Sequence, residues 1–144
     1  MNPAYRTARF WCAIGPGEVP APCFGIVTAC DPADRPLGDD ANRDADAGLA
    51  HEVDRLGWRR FRVVGASPDL VHQEPGWGVV PGSLAVLLDL GFRWGQAAVF
   101  WVDRDELFLA DCREGTIERL GCWSERTRFG QALGPWRVDL PCQG

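Results

Sequence analysis

Apolar residues along this chain come in short runs that change period several times. Phe10-Trp11-Cys12-Ala13-Ile14 is followed by Gly15-Pro16-Gly17 and predicts a strand and a turn. Cys23 to Ala29 is apolar on both faces, as for a strand inside a sheet. From Asp39 to Leu56 the period becomes helical, with Ala41, Ala45, Leu49, Val53 and Leu56 on one stripe. Asp39 or Asp40 is expected to cap this helix, and Gly57 to stop it. Trp58 to Ala66 alternates, which predicts a strand whose outer face carries arginines. Ser67-Pro68-Asp69 turns the chain into a short strand, Trp77 to Val80, ended by Pro81-Gly82.

Ser83 can cap a second helix with Leu84, Leu87, Leu88 and Phe92 inward. Ala97 to Val102 and Glu106 to Ala110 form a hairpin around Asp103-Arg104-Asp105. Beyond Cys112 the pattern is irregular, and a strand from Trp136 to Leu140 is the one element assigned there. The expected order is β-β-α-β-β-α-β-β plus an irregular C-terminal tail. Strands paired between helices imply an α+β fold, a mostly antiparallel sheet with two main helices packed on one face. Residues 1–112 are read as the domain and 113–144 as an extension packed on it.

Composition narrows the classes of function. A chain of 144 residues fits one domain that needs no staples. No apolar window reaches the ~18 residues of a membrane span, and no signal segment follows Met1. A cytoplasmic protein without membrane contact is expected. The net charge is -5, and all 15 basic residues are arginine, so binding driven by nucleic-acid phosphates is disfavoured. The run Trp58-Arg59-Arg60-Phe61-Arg62 mixes bases with aromatics, but an Arg-covered strand explains it without nucleic acid. The six cysteines, at 12, 23, 30, 112, 122 and 142, have no zinc-knuckle spacing and read as free thiols.

Candidate chemistry gathers around an acidic loop and two later segments. Asp40-x-Asn42-x-Asp44 imitates a calcium loop, but Ala45 and His51 stand where a glycine and a glutamate are required. Neither phosphate-loop motif is present, nor is GxSxG. No metal and no cofactor are expected. His72 and Glu74 share a face of an extended segment and form an acid–base pair in one reading, a surface ion pair in the other. Arg93 and Gln96 flank the end of the second helix, where Gln96 either reads a ligand or caps the helix. Cys30 is the best-placed nucleophile.

Four pieces occur together in order: FGIVTACDP (24–32), Asn42, VVGASPDLVHQEPGWGV (63–79) and FRWGQAAVFWV (92–102). With them, residues 5 to 112 resemble a bacterial family known as domain of unknown function 3293. The chain carries Asp31 where that family has asparagine. The resemblance implies a fold and a bacterial origin, and no activity.

The expected function is a small binding or interaction module, taking a protein or small ligand at a polar pocket beside the strand-end loop. Its candidate residues are Thr28, Asp31, Asn42, Glu74, Arg93 and Gln96. The alternative is a small hydrolase or transferase with Glu74 as general base. Glu74 is expected to be a structural tie, partnered by the Thr28–Asn42 loop or Arg93.

Overall fold

The computed structural model describes residues 2–130 and Trp136. Its elements are β1 (Arg9–Cys12), β2 (Cys23–Val27), α1 (Asp39–Arg55), β3 (Arg59–Ala66), β4 (Gln73–Val80), α2 (Leu84–Arg93), β5 (Ala98–Asp103), β6 (Glu106–Asp111), β7 (Ile117–Cys122), the one-turn α3 (Trp123–Arg126) and β8 (Thr127–Phe129). All eight strands form one sheet in the order β7-β6-β5-β2-β4-β3-β1-β8. The sheet is mixed rather than purely antiparallel, because β8 runs parallel to β1.

The expected elements appear through β6, and the tail expectation is corrected after it. Residues Ile117–Phe129 form β7, α3 and β8. β7 is an edge strand with exposed Ile117, Glu118 and Arg119, so no buried alternation marks it. The strand expected from Trp136 to Leu140 lies outside the described residues, apart from Trp136, which is buried against Trp11 and Val64.

Three local expectations are also corrected. β4 begins at Gln73 rather than Trp77. A proline inside a central strand argues against pairing, yet β2 has already ended beside Pro75, so no ladder bond is lost there. Instead, the Thr28 hydroxyl donates to the Pro75 carbonyl at 2.8 Å. α1 is entered through Gly38 (φ 90°), with Asp39 and Asp40 in the first turn rather than at the cap. Finally, Arg62 is not on a wet face. It is 3% exposed and makes two bonds to Asp46 of α1, at 2.7 and 2.9 Å.

The two faces of the sheet carry different cores. On the outer face, Leu49, Ala50 and Val53 of α1 join Leu87 and Leu90 of α2 against Val27, Trp77, Val79 and Val99. Gly25 admits α2 there, because a Cβ at that position would stand 2.1 Å from Leu87 Cδ2. On the inner face, Phe10, Phe24, Phe61, Val63, Val102 and Trp123 pack together. Phe10 of β1 and Phe100 of β5 meet edge to face at 5.0 Å, although three strands separate them in the sheet. That contact requires a strongly curled sheet whose inner face encloses its own core. Further contacts draw the edges together: Arg126 donates to the Leu120 carbonyl at 2.7 Å, and Arg6 pairs with Glu118 at 2.8 Å.

Within the curl, β3 and β4 pair a side chain with a glycine at three successive inward positions: Phe61 with Gly78, Val63 with Gly76, and Gly65 with Glu74. The Phe61 ring covers Gly78, where a Cβ would fall 2.3 Å from its Cζ. Gly78→Ala is therefore expected to lower stability by about 1–3 kcal/mol in urea unfolding, as an overpacked core does. An unchanged midpoint would contradict this close approach.

Candidate functional site

The glycines of β3 and β4 fill one end of the curl and leave the other open. Phe61 occupies the space over Gly78, but a Cβ at Gly65 would meet nothing nearer than the Phe10 ring at 4.0 Å, and Gly76 is approached by the Val27 carbonyl rather than by a large side chain. With Ala8 and Ala98 they leave a cavity of about 410 Å³ inside the sheet. Phe10, Ile26, Val63 and Phe100 line it, and its polar members include Tyr5, Thr28, Asp34, His72 and Glu74. Among the described residues, none that lines it is an arginine. The 3-10 turn Pro3–Thr7 covers one side and sets Tyr5 edge-on to Phe100, with ring centres 6.3 Å apart.

Negative charge collects at the polar end. The Tyr5 hydroxyl donates to Asp34 Oδ1 at 2.9 Å, and His72 Nε2 lies 3.1 Å from Glu74 Oε1. Ligand atoms of Asp31, His72 and Glu74 lie within 4.8 Å of one another. Desolvation raises the Glu74 carboxyl above its ordinary range; His72 opposes this, and the charges of Asp31 and Asp34 add to it. Burial likewise pushes the Tyr5 hydroxyl up, helped by its bond to Asp34. The Cys30 thiol is pushed up to about 12, chiefly by burial, so it stays protonated and is a poor nucleophile.

The loop from Thr28 to Leu37 forms the mouth and is braced from several sides. Thr28 Oγ1 accepts from Cys30 N at 3.0 Å while donating to β4. Asp31 N donates to Asn42 Oδ1 at 3.0 Å, and Asn42 Nδ2 donates back to Asp31 Oδ1 at 2.9 Å. The same Asp31 oxygen accepts from Leu37 N at 3.0 Å. Gln96, buried, donates to the Cys30 carbonyl at 3.1 Å. Asp31 (φ 44°), Ala33 (φ 57°) and Asp34 (φ 58°) all have left-handed backbones without being glycine, a strain that surrounding contacts must hold. Ala33 N is held by the Gly95 carbonyl at 2.7 Å.

Of the six residues expected from sequence, Thr28 and Glu74 line the cavity, and Asp31 turns toward the mouth. Asn42 and Gln96 brace the loop from behind. Arg93 stands apart: its guanidinium bonds Glu52 of α1 and Asp89 of its own helix. Glu74 therefore has His72 as its partner, not Arg93. Sequence reasoning missed Tyr5 and Asp34, which meet across 29 positions of chain with no shared local pattern.

This geometry makes Glu74 a poor structural tie, since its one bonded side chain is the exposed imidazole of His72. Glu74→Gln is expected to be no more than about 0.5 kcal/mol less stable than the parent at pH 7, the range of a substitution that breaks no buried network. A folded pKa above the unfolded value, about 4.3, means the folded state binds the extra proton between the two. The parent then loses stability relative to the glutamine variant as pH rises through that window, and the two converge below it. Urea melts between pH 4 and 8 with a chelator present measure this. A deficit of 1–3 kcal/mol at pH 7 would restore Glu74 as a tie.

No helix among the described residues is long and apolar enough to cross a membrane. No curated protein and no solved structure matches this chain. A family model described as "Protein of unknown function (DUF3293)" matches residues 27–99, half of the chain, from the last residue of β2 to the start of β5. That span holds Thr28, Asp31, Asp34, Asn42, His72, Glu74 and Gln96, and the chain belongs to the DUF3293 family.

Proposed function

We propose that this domain is a small-molecule binding module. Its ligand has an apolar body seated inside the curled sheet and a cationic or hydrogen-bond-donating head at the mouth. The observation that carries this reading is the cavity of about 410 Å³ with acids at its polar end and no arginine among the described residues that line it. Its size falls in the range of small-ligand pockets, roughly 300–1,000 Å³, and its mostly apolar wall with a few convergent polar groups is their usual make-up. Phe10, Ile26, Val63 and Phe100 would contact the body; Glu74, Asp34 and the Tyr5 hydroxyl would face the head. Thr28, Asp31, Asn42 and Gln96 support this arrangement by fixing the loop. Five described cysteines without disulfides suit a reducing cytoplasm.

A second reading is a small hydrolase or transferase in which Glu74 acts as general base. The raised carboxyl beside His72 at a cavity mouth favours it, because a base works best when its pKa approaches the working pH. The protonated state of Cys30 counts against a thiol nucleophile in that scheme. On this reading water or a second substrate would attack.

Alkylamines and alkylcarboxylates of matched length separate the charge preference from simple greasiness. The amines are expected to raise the melting temperature saturably, by about 2.7 kcal/mol of stability at a hundredfold excess over Kd. The carboxylates are expected to do far less. Ala8→Leu, which fills the cavity, should abolish the amine effect, and Glu74→Gln should reduce the amine preference. Equal stabilisation by both series, or none by either, would defeat the reading.

A further inference from the structure

We propose that Asp31, His72 and Glu74 hold a divalent transition-metal ion at the mouth of the cavity. The inference rests on the mouth being a seat for positive charge, and it specifies which charge. One imidazole nitrogen and two carboxylate oxygens converge within 4.8 Å. His72 Nε2 and Glu74 Oε1 are already 3.1 Å apart, close to the edge of a tetrahedron about an ion with ligands at roughly 2.0–2.2 Å. Asp31 completes the set. Its imidazole partner, His72, keeps 68% of its side-chain exposure and is the ligand free to close in.

Two further features fit a metal rather than a surface ion pair. First, the carboxylate of Asp31 is oriented from behind. Oδ1 accepts from Asn42 Nδ2 and Leu37 N, the kind of outer contact that aims a metal ligand. Second, the charge at the mouth is unbalanced. Asp31, Asp34 and Glu74 gather there, and among the described residues at the mouth His72 is the one basic side chain. An imidazole with two carboxylates suits Zn²⁺, Mn²⁺ or Fe²⁺ better than Ca²⁺ or Mg²⁺, which favour oxygen alone. Three protein ligands leave a coordination position open, as catalytic zinc sites do. Tyr5 and Asp34 line the cavity beside His72 and Glu74, and would face that open position.

The test is calorimetric titration of the chelator-treated protein with Zn²⁺, repeated with Mn²⁺ by electron paramagnetic resonance because thiols bind manganese weakly. One saturable site per chain is expected. His72→Ala and Glu74→Gln should each weaken it at least about tenfold. His72→Ala alters an exposed side chain, so its metal-free melting temperature should match the parent's. Acidification should release the ion as the ligands take up protons. Ala8→Leu should leave metal binding intact while blocking alkylamines, and Zn²⁺ should displace the amine from the parent. Absence of a saturable site overturns the proposal, as does Zn²⁺ affinity unchanged by His72→Ala, which would assign the ion to thiols. A protein that binds alkylamines but no metal keeps the cavity reading and loses this one.

Discussion

The Arg62–Asp46 pair is the interaction on which the arrangement of sheet, helix and cavity depends. Both residues are at most 3% exposed, and the guanidinium meets the carboxylate through two bonds, 2.7 and 2.9 Å long. A third bond, at 3.2 Å, runs from Arg62 to the Gly76 carbonyl. Trp77 lies under the guanidinium, 3.6 Å from its ring centre, and its indole N–H reaches the Asp46 carbonyl at 3.4 Å. One cluster thus joins α1, β3 and β4. Charges this deep are tolerated only when paired, and losing one partner of such a pair costs about 3–5 kcal/mol. The pairing also has a geometric consequence. It clamps the outer face of the same stretch, residues 62 to 77, whose inner face carries Val63, Gly65, Glu74 and Gly76 around the cavity.

The inner face shows how small residues leave a cavity. A curled sheet normally fills its concave side with large side chains, as Phe10, Phe24, Phe61 and Trp123 do at one end. At the other end, Gly65 and Gly76 present no side chain, and Ala8 and Ala98 present methyl groups only. The result is a hollow floored by strands and closed at its rim by the first turn of the chain and two loops. At its rim the strained loop from Asp31 to Asp34 meets Glu74, at the start of β4, and His72 just before it. Strain at such a rim, held by Asn42, Gln96 and Gly95, is a cost that the fold as a whole must support.

Much of this architecture can be read from the chain, and the failures have physical causes. The helical stripe ending in Leu49 and Val53, the Ser83 cap and the hairpin at Asp103-Arg104-Asp105 are local features that tertiary contacts reinforce. Arg62 was misread because strand alternation cannot distinguish a wet face from one covered by a helix that supplies a carboxylate. The start of β4 was misread because Pro75 signals a break, and the side-chain bond from Thr28 that replaces the ladder there is invisible in sequence. Thr28, Glu74 and Asp31, which the structure brings to the cavity or its mouth, were named in advance because their segments flank predicted strand ends. Tyr5 and Asp34 were not, since only the curl of the sheet brings the first turn of the chain over the mouth.

A double-mutant cycle on Arg62 and Asp46 tests this account most directly. Arg62→Met, Asp46→Leu and the combination would be compared with the parent by urea unfolding. Each single variant is expected to lose about 3–5 kcal/mol, and the pair together far less than the sum, giving a coupling of at least about 2 kcal/mol. Additive losses, with coupling within about 0.5 kcal/mol of zero, would show that the two groups do not depend on one another and would contradict the account.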